Sequence, residues 1–169
     1  MELFEAIQKR ASVRNLRPVE VPEADLERIL DAGRRAASGR NRQPFDFIVI
    51  KDQATLKELA KAQACIADVG LAIAVVADPA KSEFWLEDVA AATENMLLAI
   101  TALGYGSVWI EGTLRRAESD HKQVLRVPES LRLAVVLPIG QATEPPSQAE
   151  KRPLQEMVHW DRYGVRSRA

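Results

Sequence analysis

A single soluble domain in which strands alternate with helices is the fold the sequence predicts, and three observations carry it. The 169 residues are 47% apolar, enough to bury one core. Apolar positions switch between helical spacing and short β-branched runs along the chain. The 9 Pro and 8 Gly punctuate those elements instead of pooling in a linker, and no repeat or low-complexity block intervenes. Alternation of this kind inclines the pattern toward a wholly parallel sheet.

Leu3, Phe4 and Ile7 fall at helical spacing and predict a first helix ending near Arg10. Pro22 at a first helical position, with Glu23 and Asp25 behind it and Arg34-Arg35 near the end, frames a second. Its inward stripe is Leu26, Ile29, Leu30 and Gly33. Phe45 to Ile50, bounded by Pro44 and Asp52, has the composition of a strand buried on both faces. Asp52 caps a third helix carrying Leu56, Leu59 and Ala60. Val69 to Ala77 is almost wholly apolar and predicts a central strand. A long fourth helix from Glu83 to Leu103 follows, closed by Gly104. It is apolar around most of its circumference, so it is covered on several sides, either by a second subunit or by its own chain. Ser107 to Ile110 predicts a third strand, Glu118 to Arg126 a short helix, and Leu131 to Leu137 a fourth strand ending at Pro138-Ile139-Gly140. Residues 141–169 form an extended C-terminal arm in which Leu154, Met157, Val158 and Trp160 are apolar enough to dock.

The net charge of −1 gives no pull toward nucleic acid or anionic lipid. Within that balance 16 residues are Arg, and eight of them lie between Arg10 and Arg42, which directs the search for an anion site to the N-terminal region. Cys65, the single cysteine, excludes an internal disulfide and a Cys-rich zinc module, and fits a reducing cytoplasm. The opening Met1-Glu2-Leu3-Phe4-Glu5 does not read as a signal peptide, and the Val69–Ala77 run is far short of the roughly 20 residues of a membrane span. Walker, nucleophile-elbow and His-Glu-x-x-His patterns are absent, and Gly104, Gly106 and Gly112 do not fit the dinucleotide fingerprint. His121 and His159 read as exposed helix residues and Cys65 as a small filler, so the sequence nominates no metal ligand and no catalytic side chain.

Two segments carry chemistry. In Arg10-Ala11-Ser12-Val13-Arg14 two guanidiniums flank a hydroxyl, a donor set suited to phosphate; the same cations also complement a helix C-terminus, and the segment alone leaves both readings open. Ala37-Ser38-Gly39-Arg40-Asn41-Arg42-Gln43-Pro44-Phe45 is a polar loop whose amides and hydroxyl match the edge of a flat heterocycle.

Together these segments resemble the nitroreductase family of flavin-mononucleotide enzymes. The family's Arg-Arg-Ser-x-Arg-x-Phe corresponds to Arg10 through Leu16, and its Pro-Ser-x-x-Asn-x-Gln-Pro-Trp to Ala37 through Phe45. The likeness continues through Asn95-Met96-Leu97-Leu98-Ala99, Leu103 through Ile110, Pro138-Ile139-Gly140 and Lys151-Arg152-Pro153-Leu154, in the family's order. Ala11 stands where Arg or His is frequent, Leu16 and Phe45 replace bulkier aromatics, and the long helix lacks inserted lid helices, which implies a shallow, open site.

The resemblance implies an α+β sandwich with a mixed sheet, completed in a homodimer by a swapped C-terminal segment, and this replaces the parallel expectation. It also implies one FMN per site. Arg10, Ala11, Ser12 and Arg14, with Lys151 or Arg152, would hold the phosphate and ribityl chain. Ala37, Ser38 and Asn41 would approach from the partner subunit, and Pro138, Ile139 and Gly140 would lie against the isoalloxazine. The implied activity is ping-pong hydride transfer from NAD(P)H to nitroaromatics, quinones or similar small acceptors. Other activities on the same fold are dehalogenation, azoline oxidation, flavin fragmentation, or flavin binding without turnover.

Overall fold

Each strand pairing in the computed structural model, which describes residues 1–166, is antiparallel. The elements in order are α1 (Leu3–Lys9), β1 (Leu16–Arg17), α2 (Glu23–Arg34), β2 (Phe45–Ile50), α3 (Gln53–Leu59), β3 (Leu71–Ala77), α4 (Trp85–Ala102), β4 (Gly106–Ser107), α5 (Gly112–Arg116), α6 (Glu118–Leu125) and β5 (Arg132–Ala142). The strand order is β1-β5-β3-β2, with β4 on β5. The fold is the α+β sandwich, and the parallel inclination drawn from alternation is corrected: the helices return the chain so that neighbouring strands run in opposite directions. The parallel member of a mixed sheet is not among the described pairings.

Residues of β3 alternate between two cores. Leu71, Ile73 and Val75 pack with Leu26 and Ile29 of α2 and Met96 and Ile100 of α4. Ala72, Ala74 and Val76 pack with Leu56 and Leu59 of α3 and Leu114 of α5 on the opposite face. Asp52 caps α3 as the sequence predicts, accepting the Thr55 N–H at 2.8 Å. Gly104, at φ 88°, ends α4 in a Schellman motif: its N–H donates to Thr101 O and the Tyr105 N–H donates to Ile100 O.

Several local expectations change. β2 is an edge strand with Asp46 and Val49 exposed, because a charge within the run can only face water. β4 is limited to two residues, followed by one bridge between Ile110 and Val136. β5 does not stop before Pro138 but continues to Ala142: Pro138 lacks an N–H, yet Ile139 and Gly140 remain in register with β3 and β4. His121 is buried because α6 lies against α3 and β5, and its Nδ1 sits 2.7 Å from Ala117 O. The predicted stripe of α1 faces outward, with Phe4 77% exposed, and Ala6 is the residue that turns in. α4 is wrapped by α1, α2 and the sheet, leaving Leu86 exposed near its start. Beyond β5 the arm leaves Leu154 73% and Met157 58% exposed, and residues 167–169 of that arm lie outside the described residues. No helix among the described residues is long and apolar enough to cross a membrane.

α6 opens on Glu118, whose carboxylate takes Arg132 through Nε at 2.8 Å and Nη2 at 2.6 Å and also accepts the Leu133 N–H at 3.0 Å. The Arg132 hydrogen bonds hold its carboxyl below the ordinary glutamate value, with burial opposing. The folded pKa thus lies below the unfolded one. The stabilisation is complete above the ordinary value of about 4.3 and disappears as pH falls through the lowered folded value. Melting curves of the wild type and Glu118→Gln should be separated at about pH 7 and converge as the pH falls below the ordinary glutamate range. A gap independent of pH would exclude this ion pair as the cause.

Candidate functional site

Where α1 ends, the chain turns into an extended segment held to the sheet by the Val13 N–H, which donates to Ser107 O at 2.8 Å. Leu16 and Arg17 then pair with Ala142 and Gln141 as β1. The chain leaving β5 returns along this same segment. Thr143 donates to Asn15 O through its N–H at 3.0 Å and its Oγ1 at 3.2 Å. Five residues later Gln148 Nε2 donates to both Ile7 O and Arg10 O at 2.7 Å. Between these two attachments the walls part into an open groove of about 370 Å³, lined by Ala11 through Asn15 and Glu144 through Ser147.

The groove contains three of the predicted site residues, Ala11, Ser12 and Arg14. Arg14 is exposed and has no ion-pair partner among the described residues, so its guanidinium is available to an anion. Burial raises the thiol pKa of Cys65, and the charge of Arg14 opposes that rise. Arg10, the fourth, precedes the wall and turns its guanidinium to α4, where Nε lies 3.3 Å from Glu94 Oε1.

The second predicted segment lies apart from the groove and is anchored to the start of α4. Gly39 N–H donates to Asp88 Oδ1 at 2.8 Å, and Ser82 Oγ donates to Asp88 Oδ2 at 2.9 Å. Gln43 N–H donates to Ser38 Oγ at 3.1 Å, and Arg42 Nη1 donates to Lys81 O at 3.0 Å. Arg40, Asn41 and Gln43 adopt φ of 52°, 55° and 46°, left-handed conformations that these anchors maintain. Gly39 is required by close approach, since a Cβ there would lie 2.7 Å from Phe84 Cδ2. Ala37 and Asn41 remain exposed.

The remaining predicted contacts do not reach the groove within one chain. Pro138, Ile139 and Gly140 are buried inside β5, with Ile139 in register with Leu71 on one side and Ser107 on the other, so a ring has no access to them there. Lys151 and Arg152 are exposed and do not line the groove; Arg152 Nη2 donates to Glu156 O at 3.3 Å. The sequence reading passed over the Glu144–Ser147 wall, Gln148 and Asp88. Only Asp88 left a signal, as a carboxyl within the apolar circumference of α4.

A second cavity, of about 100 Å³, is walled by Trp85, Val89, Trp109 and Leu133 and rimmed by Glu111, Arg115, Glu118 and Arg132. Its charges are already matched, Arg115 to Glu111 at 3.4 Å and Arg132 to Glu118, so it offers no free charge to a ligand. The unpaired Arg14 makes the first groove the candidate for an anion.

Comparison with known proteins places the fold. The family model described as Nitroreductase family matches residues 7–77 and 66–141. A protein of Archaeoglobus fulgidus, provisionally named NADH dehydrogenase/NAD(P)H nitroreductase, is 36% identical over 148 residues, 82% of this chain and 84% of its own. The crystal structure of a similarly named protein from Parabacteroides distasonis superposes with a TM-score of 0.87 at 28% identity, covering 95% of this chain and 98% of that one. A nitroreductase-type protein from Desulfovibrio desulfuricans, solved in complex with FMN, superposes with a TM-score of 0.85 at 27% identity, covering 96% and 98%. With matches running from α1 to the end of β5, the chain belongs to the nitroreductase family.

Proposed function

We propose that the chain is an FMN-dependent oxidoreductase that takes hydride from NAD(P)H and reduces electron-poor acceptors, such as nitroaromatics and quinones, in a ping-pong cycle. The observation that carries this reading is the groove bounded by Ala11–Asn15, with an unpaired guanidinium and a hydroxyl set into one wall. That donor set fits a phosphorylated polyol: Arg14 answers the phosphate charge and Ser12 the ribityl hydroxyls. Bound there, the flavin supplies the hydride-accepting ring, which no side chain provides. Arg10 precedes the groove segment directly and, though its Nε faces Glu94, can add donors to the same ligand.

The rest of the site is assigned to a homodimer. The outward stripe of α1 and the uncovered Leu154 and Met157 form apolar surface of the kind a partner covers. A swapped arm carries Lys151 or Arg152 to the phosphate, and Ala37, Ser38 and Asn41 come to the flavin from the neighbouring subunit on a loop that Asp88 keeps rigid. In this arrangement Pro138, Ile139 and Gly140 are the buried floor of one flavin-binding domain. The compartment we infer is the cytoplasm, where Cys65 stays reduced.

The purified protein is expected to be yellow, to release FMN on denaturation, to bleach with NADH or NADPH, and to give parallel double-reciprocal plots against an acceptor such as a quinone. Sedimentation velocity should give twice the 18.7 kDa chain mass. A colourless protein that ignores added FMN would overturn the reading; a reducible flavoprotein with intersecting plots would overturn the ping-pong order alone.

A further inference from the structure

The two attachments that bound the groove differ in kind. At one end Thr143 uses its backbone as well as its side chain, continuing the pairing of β1 with β5. At the other end the hydrogen bonds come from a single side-chain amide, Gln148 Nε2, shared between Ile7 O and Arg10 O. These two carbonyls belong to the C-terminal turn of α1, where helical acceptors run out of partners, so the amide caps the helix and ties the arm in one move. Ser12 and Arg14 follow directly after Arg10, and their positions relative to the Glu144–Ser147 wall depend on where that tie holds the chain.

We propose that Gln148 is a positioning residue for the groove: it touches no ligand itself, but by clasping the end of α1 it sets the width at which Ser12 and Arg14 meet a phosphorylated ligand. This rests on the reading of the groove as the flavin phosphate and ribityl site. The clasp is half-buried and rests on one side chain, so a single substitution removes it, whereas the pairing at Thr143 keeps its backbone bond whatever the side chain.

FMN and riboflavin dissociation, followed by flavin fluorescence in stopped flow, tests the proposal on Gln148→Ala and Gln148→Glu. The second keeps the size of the side chain but presents carboxylate oxygen to two carbonyls. Both variants are expected to release FMN about tenfold faster, with a smaller change in association rate and an unchanged folded circular-dichroism spectrum. A double-mutant cycle with Arg14→Ala should show coupling, because Gln148 acts by placing Arg14. Strict additivity, or equal acceleration of riboflavin and FMN release, would overturn the positioning role. Should Arg14→Ala alone leave FMN affinity unchanged, the flavin reading of the groove fails, whatever Gln148 does.

Discussion

Arg14→Ala is expected to weaken FMN binding by about 10- to 100-fold while leaving the fold intact. A charge-assisted hydrogen bond contributes about 1.5–3 kcal/mol, and every 1.4 kcal/mol is about a factor of ten in affinity. Arg14 is the cation that lines the groove, and it has no ion-pair partner among the described residues to release first. Its exposure also means that FMN affinity should fall with added salt in the wild type and respond less in the variant. Riboflavin, which has no phosphate, should bind the two proteins alike. Fluorescence titration measures all of these, and an equal loss for both flavins would relocate the phosphate away from Arg14. Arg10→Ala should cost less, since its Nε faces Glu94 before any ligand arrives.

Asp88→Ala is the substitution expected to damage the molecule most without touching the groove. The carboxyl is buried and accepts from Gly39 N–H and Ser82 Oγ. Removing it strands both donors, at a cost of about 3 kcal/mol when two bonds of this class are lost from a buried position. For a chain of this size that corresponds to a fall in melting temperature of about 6–12 °C. The Ser38–Gln43 loop should be the first region to loosen, because its three left-handed residues rely on that anchor. Asp88→Asn keeps an acceptor for Gly39 and should recover most of the loss. Calorimetry, with hydrogen exchange at Gly39, separates these outcomes; a variant that melts like the wild type would show that the loop holds itself.

What the sequence made legible is whatever local chemistry governs. Asp52, Gly104, the β3 run and the α2 stripe all behave as their residue types require. The Ser12 and Arg14 half of the groove was legible for the same reason, since hydroxyl and guanidinium sit within five consecutive residues. The opposite wall was not. Pro145-Pro146 marks an extended arm but not a wall, and Glu144 through Ser147 line the groove only because β5 outlasts Pro138 and delivers them beside Asn15. Strand direction was illegible too, because alternation of elements says nothing about which way each helix returns the chain. The outward turn of Leu3, Phe4 and Ile7 shows the same limit: periodicity finds an apolar stripe but not whether the chain itself will cover it.

The two attachments bounding the groove join Asn15 to Thr143, 128 positions apart, and Arg10 to Gln148, 138 positions apart. Closing loops of that length comes late in folding, because the ordering cost must be met before either contact forms. On a ribosome the first fifteen residues therefore wait, with Arg14 exposed to solvent, until residues 143–148 have emerged. Cofactor capture then waits on the arm: a chain interrupted between the end of β5 and residue 144 has its strands in place, yet lacks the second wall of the groove proposed to hold the flavin.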